Sequence, residues 1–86
     1  MAYEIEITGR AERAFKKLDR RIAQRLYARL KWIANSGDPF QHVKRLTGVE
    51  LFSLRVGDYR AILDIKRDRL VILVVKGGHR SDVYIK

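Results

Sequence analysis

Three features of the sequence predict an α+β fold: an N-terminal segment with period two, two consecutive stripes with helical spacing, and a C-terminal half that returns to period two. The expected architecture is an N-terminal strand and an antiparallel helical hairpin packed on a mostly antiparallel four-stranded sheet, followed by a short C-terminal segment. With 86 residues, 47% apolar and 34% charged, the chain has room for one core. Residues 1–86 are therefore read as a single domain, without repeats or a linker.

The first strand is "AYEIEI", in which Tyr3, Ile5 and Ile7 share one face and Glu4 and Glu6 the other. Thr8 is positioned to cap a helix whose buried stripe is Ala11, Ala14, Phe15 and Leu18, ending near Asp19. In the second helix Ile22, Leu26, Leu30 and Ile33 form one face, supported by Ala23, while Arg21, Arg25 and Arg29 form an i, i+4 ladder on another. "NSGDP" ends it, with Gly37 suited to a left-handed cap and Pro39 unable to continue a helix. A loop with His42, Lys44 and Arg45 leads to "LFSLRV", where Phe52, Leu54 and Val56 alternate with Leu51, Ser53 and Arg55. Gly57-Asp58 is a turn signal. In "YRAILDI" Tyr59, Ala61, Leu63 and Ile65 alternate with Arg60, Ile62 and Asp64, and "LVILVV" is apolar on both faces, which suits a central strand. Alternation puts Arg55 and Arg60 on the sheet face away from the helices. Arginines in mid-strand are unusual for a purely structural purpose.

Charge narrows the partners. Nineteen Lys and Arg against ten Asp and Glu give +9, and residues 10–31 alone hold nine basic groups and two acids. So concentrated a positive field attracts polyanions. There is no cysteine, which removes disulfides and thiolate chemistry. "LVILVV" is far shorter than the ~20 residues of a membrane span, and "MAYEIEI" is unlike a targeting segment, so a cytoplasmic location without membrane association is expected. His42 has no partner at ligand spacing, and no metal site is expected.

The order of elements, the stretch "LTGVELFSLRVGDYRAIL" and the terminal "GHRSDVYIK" resemble the RelE/ParE toxin superfamily, and within it the RelE-like messenger-RNA interferases of type II toxin–antitoxin pairs. The resemblance covers essentially the whole chain. It implies a ribosome-dependent endoribonuclease that cuts messenger RNA in the decoding site without metal or cofactor, held in check by a cognate antitoxin. Carried over by position, the catalytic residues are Arg60, Arg80, Tyr84 and, where many relatives also have histidine, His79. The chain departs from the best-known RelE type at Leu51 and Ser53, which stand where that type has lysines, and at Gly78, where it has arginine. Lys44, Arg45 and Arg55 are candidates to supply the missing charge.

The chemistry suits these residue types. When the RNA's own 2′-hydroxyl attacks the adjacent phosphate, the protein must help remove that proton, neutralise the phosphorane and protonate the leaving 5′-oxygen. Arginine matches the second task, and histidine is suited to proton transfer near neutral pH. Candidate contacts to messenger and ribosomal RNA are Lys44, Arg45, Ser53 and Arg55 on the sheet side and Arg21, Arg25 and Arg29 on the helix. Ordinary roles compete with each assignment. His79 as a solvated loop residue, Arg60 paired with Asp58 or Asp64, Tyr84 as a core aromatic, Gly77 and Gly78 as a turn or bulge, and the arginine ladder as solvated surface are all compatible with the sequence. Trp32 and Phe40 are read as packing residues. Two other functions fit the same resemblance and charge: a ParE-type toxin that inhibits DNA gyrase without cutting RNA, and a catalytically weak RNA- or ribosome-binding module.

Overall fold

A computed structural model of the chain describes residues 2–79, so Arg80 and Tyr84 lie outside the described residues. Alternation at the N-terminus becomes β1, Glu4–Ile7, with both glutamates exposed. Thr8 ends the strand and caps α1, Gly9–Lys16, its Oγ1 accepting from the Ala11 N–H at 3.2 Å. Residues 17–19 link it to α2, Arg20–Ala34, which Asp19 caps by accepting from the Arg21 N–H at 2.8 Å. Beyond α2, Gly37 at φ 90° turns the chain into a 3₁₀ turn, Pro39–His42. The remaining strands are β2, Lys44–Arg45; β3, Phe52–Val56; β4, Tyr59–Lys66; and β5, Val71–His79.

The sheet runs β1-β5-β4-β3-β2, with β1 parallel to β5 and every other pairing antiparallel. It therefore has five strands and not the four expected. The additional one is Lys44–Arg45, paired with Ser53 and Phe52. Two residues are too few to show alternation, so this strand exists only through its hydrogen-bonded partner. As the doubly apolar "LVILVV" foretold, β5 lies inside the sheet between β1 and β4.

Both helices pack on one face. Leu26, Leu30 and Ile33 of α2 are fully buried against Leu54, Leu63, Ile72 and Val74, and α1 contributes Ala11 and Phe15. Burying a leucine or isoleucine side chain is worth about 2 kcal/mol, and these side chains bind the helical layer to the sheet. Phe15 also meets Tyr27 edge to face at 5.2 Å, joining the two helices.

One irregularity organises the end of the sheet. Ile62 pairs with Lys76 but Leu63 pairs with Val74, leaving Val75 as an extra residue in β5. The bulge exchanges the faces of everything after it. Without it Lys76 and Gly78 would continue the core face of Ile72 and Val74; with it, Gly77 and His79 turn toward the helices instead. Gly77 is then buried against Phe15, where a Cβ would overlap Cε1 and Cδ1 of the ring. Thr8 ties this region to α1, its Oγ1 donating to the Val74 carbonyl at 3.0 Å.

Gly77→Ala should therefore destabilise the protein by roughly 3 kcal/mol, the upper range for overpacking. Urea unfolding would measure it. The double variant Gly77→Ala with Phe15→Leu should lose less than the sum of the single losses, because the smaller side chain vacates the site of collision.

Candidate nucleic-acid interface

The sheet face opposite the helices carries a basic cluster fixed by strand register. Arg55 stands directly across from Arg60, Lys44 across from Ser53, Lys76 across from Ile62, and Gly78 across from Arg60. Arg55 and Arg60 thus share a face as the alternation predicted, and the bulge adds Lys76 to it. Two arginines opposite one another on neighbouring strands repel. Arg55 is held in place by its Nε donating to the Gly57 carbonyl at 3.0 Å. The Nε of Arg60 is buried and has no hydrogen-bond partner among the described residues. Neither ordinary pairing of Arg60 is realised: among the described residues the ion pairs are Glu12–Lys16 at 3.4 Å and Asp64–Lys66 at 3.0 Å. A buried donor without an acceptor costs about 1–3 kcal/mol, which makes Arg60 a cost to the stability of the sheet. Ser53 lies on this face but is only 8% exposed, and Lys44 is at the sheet's far edge.

His79 does not join Arg60. Paired with Tyr59 and meeting it edge to face at 5.4 Å, it points to the helix side of the sheet. There it lines a cleft of about 600 Å³ with Gly77, Gly78 and Tyr59 from the strands, Arg10 and Arg13 from α1 and Lys17 from the link that follows it. The end of β5 therefore has Arg60 on one side and His79 with the α1 cations on the other. Gly77 and Gly78 belong to the strand itself, following the bulge. Gly78 has φ 147°, a conformation that residues with a Cβ rarely adopt, so an arginine at this position needs a different local backbone. Among the described residues no group of three His, Asp or Glu is placed to hold a metal ion.

Arg45 shares the parity of Phe52 and so faces away from Lys44, near Phe40 and Glu50. Arg21, Arg25 and Arg29 are exposed along α2, as their ladder spacing predicted. Trp32 corrects the packing assignment, because it is 51% exposed and is the exposed large hydrophobic residue of the described chain. Its place three positions after Arg29 and seven after Arg25 puts it on the arginine stripe, a signal available in the sequence. Lys76 had no such signal, since only the bulge brings it to the basic face. Phe40 does pack, meeting Phe52 at 5.2 Å, with Arg67 over its ring.

A family model for the ParE toxin of type II toxin–antitoxin systems, parDE, matches residues 5–84. The chain belongs to this ParE toxin family. Its fold is that of RelE toxins. It is similar to a chain of the RelBE2 toxin–antitoxin complex of Mycobacterium tuberculosis, with 25% identity over 95% of each chain and a TM-score of 0.78. It is also similar to chains of the RelE–RelB complex of Pyrococcus horikoshii OT3 (24% identity, 96% of this chain and 100% of that chain, TM-score 0.77) and of the intact E. coli RelBE complex (20%, 91% and 96%, TM-score 0.76). No curated protein matches the sequence significantly. Within the ParE toxin family the resemblance thus holds from end to end, and the strands that carry Arg55 and Arg60 lie inside the matched region.

An unpartnered Arg60 donor in a self-repelling arginine pair has a stability cost in the isolated toxin. Arg60→Met should leave the protein as stable as wild type or about 1 kcal/mol more stable at low salt, since it removes a buried unpaired donor and a like charge at once. Thermal unfolding with and without added salt would measure it; a clear loss of stability would mean that Arg60 has a structural partner.

Proposed function

We propose that this toxin is a RelE-type messenger-RNA interferase that cleaves within the ribosomal decoding site and is neutralised by a cognate antitoxin. The observation that carries the reading is the buried, unpartnered Nε of Arg60 beside Arg55, on the sheet face without helices. A guanidinium kept without a protein acceptor, next to another cation, suits a phosphate that is present only when substrate is bound. The family's membership in toxin–antitoxin systems and the RelB partners of the similar RelE chains support the antitoxin.

In this scheme the 2′-oxygen attacks phosphorus, the P–O5′ bond breaks, and a 2′,3′-cyclic phosphate forms with no metal required. Arg60 and Arg55 hold the phosphoryl oxygens as negative charge accumulates on the phosphorane, and Arg80 completes the clamp. Tyr84 orients the RNA and moves the proton at the phosphate held by Arg60, while His79, on the opposite side of the sheet, meets the RNA only where it passes the end of β5. The basic stripe of α2 and the cations of α1 hold ribosomal RNA through phosphates, which positions the toxin without reading sequence. Lys44 and Lys76, on the face of Arg55 and Arg60, offset the missing lysines at Leu51 and Ser53, whereas Arg45 faces the other way.

A second reading has a specific observation in its favour. The matching family is named for ParE, and Leu51, Ser53 and Gly78 lack the cations of the best-known nuclease type. A ParE-type toxin would inhibit DNA gyrase and cut no RNA.

Purified toxin, incubated with a defined messenger with and without programmed 70S ribosomes, should cut within the decoding-site codon only when ribosomes are present. Arg60→Ala should reduce the rate about a hundredfold, the usual cost of one preorganised charge donor. His79→Ala and Tyr84→Phe, assayed alongside, separate contact at the end of β5 from proton transfer at the phosphate. Inhibited supercoiling by gyrase, with the messenger intact, would establish the second reading instead.

Binding to the ribosome should also weaken steeply with salt, by roughly one power of salt concentration per phosphate contact. Sedimentation with ribosomes from low to moderate salt measures it, and a flat response would remove the electrostatic docking.

A further inference from the structure

The basic stripe of α2 ends in an arrangement that a solvated charged face does not need. Trp32 is half exposed, and its indole has two ring contacts: the Arg29 guanidinium carbon stands 4.6 Å from the ring centroid, and the His42 ring meets it edge to face at 4.6 Å with the planes 72° apart. Beside it runs an open groove of about 560 Å³ between α2 and the β3–β4 turn, lined by Arg25, Arg29, Trp32, Arg55 and Gly57 and by no carboxylate. Arg55 and Gly57 border the groove on the strand side, where the Arg55 Nε donates to the Gly57 carbonyl at 3.0 Å. The groove thus combines a stiffened aromatic platform with three cations from two elements.

Each ligand class can be weighed against that composition. A purely apolar ligand would leave three desolvated arginines without counter-charges. An acidic peptide satisfies the arginines but uses the indole only where an apolar side chain flanks its carboxylates. A nucleotide uses both, since every base offers a flat face for stacking and every linkage a phosphate for guanidinium edges. Arginine stacked on indole keeps its in-plane N–H donors directed outward, which suits bidentate phosphate contact. A base inside a duplex is already stacked and its face is unavailable. We propose that Trp32, Arg25, Arg29 and Arg55 form a subsite for one unpaired RNA nucleotide, its base stacked on Trp32 and its flanking phosphates on the arginines. The proposal deepens the RNA reading given above, on which it rests for the choice of polymer, but its test does not pass through cleavage.

Trp32 is the chain's one tryptophan, so its intrinsic fluorescence reports on this position alone. The protein is titrated with a short single-stranded oligoribonucleotide, the same strand in a duplex, an abasic oligomer of equal charge, heparin and polyglutamate. The single strand should quench the emission, while the abasic oligomer, the duplex and heparin bind with little change. Trp32→Ala should weaken a dye-labelled single strand about tenfold and leave the abasic oligomer's affinity unaltered, and Trp32→Phe should retain most of the affinity. Arg25→Ala should weaken both oligomers and lower the salt dependence by about one phosphate.

Equal quenching by abasic oligomer or heparin would overturn the proposal, leaving only an electrostatic patch near the indole. Saturable quenching by polyglutamate but not by RNA would overturn it in favour of a protein-docking surface. The outcomes separate from those of the nuclease reading. Base-dependent quenching without ribosome-dependent cutting upholds the subsite and removes the nuclease, whereas cutting with unchanged RNA affinity in Trp32→Ala does the reverse.

Discussion

The contact on which the rest of this structure depends is that of the Phe15 ring with the backbone of Gly77. A Cβ at that position would occupy the ring's own space, so α1 approaches β5 this closely only over a glycine. For Gly77 to face α1, β5 must contain the extra residue at Val75, and Thr8 secures that bulge by hydrogen bonding to the Val74 carbonyl while capping α1 with the same oxygen. Cap, bulge and close approach form one unit. Disturbing any of them reverses the faces of the four residues after Val75, which are the ones nearest the arginine pair.

That reversal divides the charges. Glu4, Glu6 and Asp64 share the helix-free face with Leu73 and Val71 at one end of the sheet, where Asp64 is paired with Lys66. At the other end stand Arg55, Arg60 and Lys76. The face is therefore polarised along its strands, with the carboxylates displaced from the arginine pair by several residues of β4 and β5. A sheet built for stability alone would interleave the two signs. Holding them apart leaves Arg60 with an unsatisfied donor, a local cost of the kind found where a protein keeps a site ready for a ligand.

Membership of the ParE toxin family describes a scaffold, and a scaffold does not fix the activity carried on it. What a member does rests on the side chains that decorate it. Here the backbone at Gly78 is itself unsuited to a residue with a Cβ, and the positive charge flanking the arginine pair comes from Lys76 and Lys44. The arginine stripe of α2, continuing through Trp32 to Arg55 at the turn, links the helical layer to the sheet's edge. Cationic surface thus extends over two layers.

Local periodicity made much of this molecule readable in the sequence. The strands β1, β3, β4 and β5, both helices, the cap at Thr8 and the interior position of β5 all follow from spacing within a few residues, because the hydrophobic face of an element is written in its own period. The same holds for Arg55 and Arg60 sharing a face and for the exposure of Arg21, Arg25 and Arg29. Tertiary structure decided the rest. Lys44–Arg45 is a strand only because Ser53 and Phe52 supply its partners, and the orientation of Lys76, Gly77 and His79 depends on a bulge that Phe15 and Thr8, about sixty residues away, hold in place. Strand parity is a two-state property that one inserted residue reverses, and the forces that insert it act between segments distant in the chain. For that reason the sequence by itself placed Arg55 and Arg60 on one face, while the packing of α1 on β5 determined that His79 and Arg60 stand on opposite sides of the sheet.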